Sequence, residues 1–140
     1  MAQSGSPPVD AKSIAHHYLE AGWVRGDDAL VRRLVTEDFR FCVASEAQAL
    51  DIERYLAMVS QWRSAFGDLT LTVRDLLQEG ATVAAHFELS GRHVAPVYGV
   101  AASGRRGSLQ IMSFMDFVGG RIRAHRAVVD FVSSLGMGVD

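Results

Sequence analysis

Cysteine is nearly absent from this 140-residue chain, which has one, Cys42. A lone cysteine forms no internal disulfide. Set in Phe39-Arg40-Phe41-Cys42-Val43, it reads as a small buried hydrophobe. Long apolar runs are missing too: none approaches the roughly 20 residues that span a bilayer. The opening stretch, Met1 to Asp10, is rich in Ser, Gly and Pro without an apolar core, and reads as a loose tail rather than a signal peptide. There is no basic stripe, and the net charge is −2, which argues against nucleic-acid binding. Metal-ligand spacings are also wanting, because the adjacent His16 and His17 would point about 100° apart on a helix. Gly104-Arg105-Arg106-Gly107 lacks the strand-to-helix context of a phosphate loop. The expectation is a cytoplasmic protein without metal or cofactor and with no nucleic-acid or membrane partner.

What is present suits one domain over residues 11–140, preceded by a flexible tail over 1–10. Hydrophobic residues make up 49% and charged residues 21%, enough apolar surface for a core without staples. Asp10 can cap a first helix carrying Ile14, Tyr18, Ala21 and Gly22 at helical spacing, ended by Arg25-Gly26-Asp27. Asp27 or Asp28 can cap a short second helix with Leu30, Leu34 and Val35. Glu37-Asp38 reads as a break, and Phe39 to Val43 as a short strand. Asp51 can cap a third helix with Tyr55, Met58, Val59, Trp62 and Phe66 along one side, ended by Gly67-Asp68. The period then changes to two. Strands are predicted around Leu69 to Asp75, over Thr82 to His93, over Ser108 to Val118, and from Arg121 to about Phe131. Glu79-Gly80 and Gly119-Gly120 form the hairpin turns, and Val94 to Gly107 a loop. This is an α+β pattern: three N-terminal helices packed on a curved, mainly antiparallel sheet, forming a cone with an internal apolar pocket.

Asp130 draws attention because it closes the apolar strand end Ala127-Val128-Val129. A carboxylate held in an apolar pocket has a raised pKa and can move protons near neutral pH. Hydrogen bonding to a strand end or to an arginine is the alternative. Asp116 falls on the neighbouring strand, and would exchange a proton with Asp130 if both faced inward. In a regular strand His125 faces the other way from Asp130. His86 and Glu88 share one strand face, Phe87, Leu89 and Gly91 the other. If His86 and Glu88 faced the pocket, they would form an acid–base cluster able to activate water. Trp23, Phe41, Tyr55, Met58, Trp62, Phe87, Met112 and Phe114, with Gln110, are the candidate substrate-binding wall. The same residues would also serve as plain core.

The chain resembles the SnoaL-like polyketide cyclase family of the ketosteroid-isomerase-like superfamily. The resemblance rests on Trp23-Val24-Arg25-Gly26-Asp27, Asp75 to Val83, Leu89-Ser90-Gly91-Arg92-His93, Tyr98 to Arg106, Gly119 to His125, and Asp130 followed by Leu135-Gly136. It implies a deep apolar pocket, a homodimer formed through the sheet, and intramolecular aldol chemistry on an aromatic polyketide without metal or cofactor. By this likeness Asp130 is the general acid/base. Two positions depart from the pattern: Arg126 follows the last-strand histidine where tryptophan is frequent, and Asp116 stands where histidine or arginine can occur. The function expected is a cofactor-independent cyclase or isomerase of a polyketide-like aromatic intermediate in secondary metabolism, its substrate hydrophobic and polycyclic. Its alternatives are an epoxide-hydrolase-like or hydroxylase-type tailoring enzyme, or a non-catalytic small-molecule binding protein.

Overall fold

The computed structural model describes residues 10–44, 48–97 and 99–130. Three aspartates start its three helices by accepting otherwise unsatisfied first-turn N–H groups. Asp10 accepts from the Lys12 backbone, Asp27 from Leu30 and Asp51 from Arg54. The helices are α1 (Ala11–Glu20), α2 (Asp28–Leu34) and α3 (Ile52–Ala65). A π-helical turn, Ala21–Arg25, extends α1 and buries Ala21, Gly22 and Trp23 in succession. α3 buries Tyr55, Leu56, Val59, Trp62 and Ala65; of the predicted stripe Tyr55, Val59 and Trp62 are among them, and Met58 is half-buried.

The strands are β1 (Val35–Val43), β2 (Phe66–Glu79), β3 (Thr82–His93), β4 (Arg106–Val118) and β5 (Arg121–Asp130). They form one open, curved sheet in the order β1-β5-β4-β3-β2. β2 to β5 run as an antiparallel meander, and β1 lies parallel to β5. β1 begins at Val35, earlier than the expected Phe39, because a register shift between Val35 and Arg40 absorbs the predicted Glu37-Asp38 break. β2 follows α3 directly, so the helix ends at Ala65, and Phe66, expected on the helix, with Gly67 and Asp68, expected to end it, belongs to the strand. Gly119 and Gly120 turn the last hairpin with φ of 60° and 80°, a backbone region that favours glycine. Gly91 answers a different need: a Cβ there would sit 2.9 Å from the Gly67 carbonyl oxygen, where β2 bulges against β3.

Strand alternation sorts the residues onto two faces. Val83, Ala85, Phe87 and Leu89 of β3 are buried, as are Leu109, Ile111, Ser113 and Met115 of β4. A register shift near Asp116 lets both Ile122 and His125 of β5 turn inward. The core lies between this face and the helices. No helix among the described residues is long and apolar enough to cross a membrane.

Candidate functional site

A cavity of about 700 Å³ lies between α3, the π-helical turn and the inner sheet face. Trp23, Phe41, Met58, Trp62 and Phe87, all singled out in the sequence, line it. Aliphatic wall comes from Leu109, Ile111, Ala127 and Val129, which sequence reasoning did not select. No sequence signal separated them from the apolar residues beside them, Met112 and Val128. Tyr55 lies behind this wall, fully buried, with its ring stacked on Tyr18 at 5.7 Å and packed on Phe41 at 4.9 Å. Arg54 and Gln61 of α3 also border the cavity.

His125 brings a polar group to the cavity wall. Its Nδ1 lies 2.7 Å from the Tyr18 hydroxyl and its Nε2 2.8 Å from Ser113 Oγ. A neutral imidazole has one donor and one acceptor nitrogen, so both contacts are satisfied in either tautomer. Burial pushes the His125 pKa down to about 3, which keeps the ring uncharged at neutral pH. Burial, first of all, raises both the Tyr18 and Tyr55 hydroxyl pKa values, so these groups stay protonated. Trp23 Nε1 and the Tyr55 hydroxyl are buried without a well-formed hydrogen bond among the described residues. Sequence reasoning missed the Tyr18–His125–Ser113 chain: Tyr18 and His125 are 107 residues apart, and only the fold joins them.

The two aspartates are not brought together. Asp116 is on the outer sheet face, where it takes the Thr82 hydroxyl at 2.9 Å and an ion pair from Arg126 at 3.1 Å. In the β4–β5 register Asp116 pairs with Ala124 and Asp130 with Gln110. Six positions along β4 separate them, about 20 Å at the rise of a strand, too far to share a proton. Asp130 is exposed and alternates with Val129, so it follows Arg126 and Val128 to the outer side, whereas Val129 lines the cavity. Its placement therefore differs from the buried, apolar setting expected of it.

Gln110, Met112 and Phe114 also face outward, a correction to their expected place in the binding wall. The register pairs Phe87 with Ile111, so β4 turns its odd-numbered residues to the cavity at this level. Gln110 instead bonds His86 Nε2 at 2.9 Å, and Met112 and Phe114 are 60% and 50% exposed. His86 Nδ1 lies 3.4 Å from Asp75, and Glu88 is paired with Arg74. The Arg74 guanidinium holds the Glu88 carboxyl below its usual range. His86 and Glu88 thus belong to surface pairs and not to an acid–base cluster in the cavity. Among the described residues, no group of three His, Cys, Asp or Glu side chains could hold a metal ion.

A search of curated proteins finds no sequence match. Among solved structures, TsrD from Streptomyces laurentii is 29% identical, with 90% of this chain and 94% of that one covered and a TM-score of 0.78. IdmH from Streptomyces antibioticus, a candidate polyketide cyclase, is 26% identical over 94% and 98%, at 0.76. AclR from Streptomyces galilaeus, a candidate hydroxylase, is 22% identical over 96% and 89%, at 0.81, a likeness of fold. The model of the SnoaL-like polyketide cyclases matches residues 13–136, and the chain belongs to that family.

Proposed function

We propose that this protein is a cofactor-independent cyclase or isomerase of a polyketide-like aromatic intermediate. The observation that carries the reading is the cavity itself: about 700 Å³, walled by flat aromatic and aliphatic side chains, with a neutral hydrogen-bonded histidine in the wall. That volume suits a ligand of several fused rings. An aldol closure moves a proton from a C–H group to the forming alkoxide, with no net gain or loss. Much of the rate can come from folding the substrate so that its reacting carbons meet. The family resemblance assigns proton transfer to Asp130. His125 is the second candidate, favoured by its contact with the cavity. Its two nitrogens are bonded to Tyr18 and Ser113, so it exchanges a proton with a ligand only where one of those contacts opens, and burial disfavours the imidazolium.

The test is incubation with linear, aromatic polyketide-derived β-keto acids and esters, with products followed by mass spectrometry and NMR. A ring-closed product of unchanged mass, or lighter by one water, supports the proposal. Loss of turnover in folded Asp130→Asn assigns the proton to Asp130. Near-wild-type turnover there, with loss in His125→Gln, assigns it to the histidine. Incorporation of labelled water oxygen would point to epoxide hydrolysis instead. A second reading, a small-molecule binding protein, is favoured by one observation: no carboxylate is among the described residues that line the cavity. Ligand retained unchanged would support it.

A homodimer through the outer sheet face belongs to the same proposal. Leu77, Met112, Phe114 and Val128 are 67%, 60%, 50% and 60% exposed there, beside the Asp116–Arg126 pair. Contiguous apolar residues rimmed by charge suit a self-complementary contact. Sedimentation of wild type against Phe114→Asp tests it, with a dimer expected only for the former.

A further inference from the structure

We propose that Arg54 recognises an anion at the cavity mouth, so that the ligand is an aromatic or polycyclic carboxylate whose rings enter the cavity while its carboxylate stays at the rim. This deepens the proposed function and rests on the cavity being the ligand site. α3 turns Arg54, Ala57, Met58 and Gln61 toward the cavity, a spacing that marks one helix face. Among the described lining residues Arg54 alone carries a charge, since His125 is held neutral. The acids beside it in sequence are already engaged. Asp51 caps α3 by accepting the Arg54 backbone N–H at 2.9 Å, and Glu53 is paired with Arg32 at 2.7 Å.

The position of Arg54 has no explanation in the stability of α3. A cation in the first turn works against the helix macrodipole, which favours an anion at that end. The helix start is already capped by the Asp51 carboxylate, so the guanidinium of Arg54 is the group left to meet a ligand carboxylate. A guanidinium also offers paired N–H donors that match the two oxygens of a carboxylate. The apolar wall cannot separate an acid from its ester by contact alone, whereas Arg54 can. The cavity is thus amphiphilic, with charge at the rim and aromatic surface within.

The test titrates wild type and Arg54→Gln with 2-naphthoate and with methyl 2-naphthoate. Quenching of Trp23 and Trp62, both in the cavity wall, reports binding. Arg54 is exposed, and circular dichroism checks that the variant is folded. The expected result is a loss of about three- to tenfold in affinity for the acid and none for the ester. The acid's affinity for wild type should also weaken with added salt. An equal change for both ligands, or none for either, overturns the assignment of Arg54 and leaves the cavity reading standing. Failure of both probes to bind wild type overturns the cavity reading and this proposal with it.

Discussion

The two faces of β3, β4 and β5 are built from alternate residues of the same strands, yet they handle polar groups in opposite ways. Inside, His125 and Ser113 are buried and neutral, and join Tyr18 in one chain of hydrogen bonds. Outside, charge is kept and paired at the surface, Asp116 with Arg126 and Glu88 with Arg74, and the His86 ring lies 3.4 Å from Asp75. The difference follows from solvation. A buried charge is costly unless it is fully matched, whereas an exposed pair contributes at most about 1 kcal/mol. Polar changes should therefore be severe on the inner face and mild on the outer one.

The largest effect is expected from His125→Ala. It leaves the Tyr18 and Ser113 hydroxyls without their partner and opens a void beside Phe41. A loss of about 3 kcal/mol is expected, read by urea unfolding. An unchanged midpoint would mean that the inner network is no tighter than the surface pairs.

The same residue gives the inner face a pH signature. His125 has a pKa of about 3 when folded, below the ordinary value of 6.5. Between those limits the unfolded chain binds a proton that the folded one refuses. This contribution is harmless above about pH 6.5, and costs up to about 1.4 kcal/mol per unit as pH falls toward 3. Unfolding free energy measured across that window should fall more steeply for wild type than for His125→Gln. Parallel slopes would remove His125 as the cause.

Adjacent residues of β4 test the faces directly. Ile111 is 3% exposed in the cavity wall, and Met112 is 60% exposed on the other side. Ile111→Ala should cost about 2 kcal/mol, and Met112→Ala under about 1 kcal/mol at protein concentrations low enough to keep monomers. Equal costs would indicate that both faces are covered.

This pair also shows where the sequence could be read and where it could not. Helices were legible because each carries a capping aspartate and a stripe at helical spacing; Asp51 with Tyr55, Val59 and Trp62 is the clearest case. Antiparallel strands were legible from alternation and from Gly80 and Gly119-Gly120. The parallel pairing of β1 with β5 was not, because no local signal links Phe41 to His125. Nor was the face of β4, which is apolar on both sides: Leu109, Ile111 and Met115 inward, Met112, Phe114 and Val118 outward. Aromatic content pointed to Met112 and Phe114, and register chose their neighbours. Asp130 stands at a similar ambiguity, since its sequence neighbours Val128 and Val129 belong to different faces.

The smallest effect is expected at Asp116. Its carboxylate accepts from Thr82 and pairs with Arg126, whose guanidinium also lies 5.1 Å from the centre of the Phe114 ring. Asp116→Asn keeps the shape and one acceptor for Thr82, and removes the charge that Arg126 faces. With both side chains more than a third exposed, water and salt screen the pair, and a loss of about 0.5 kcal/mol is expected, shrinking in high salt. Turnover of the proposed substrate should be unchanged, because Asp116 lies outside the cavity wall and about 20 Å along the sheet from Asp130. A large loss of activity with the fold intact would instead tie the outer face to the cavity. The contact that could carry such an effect is through the strand itself, where Arg126 of the outer pair directly follows His125 of the inner network.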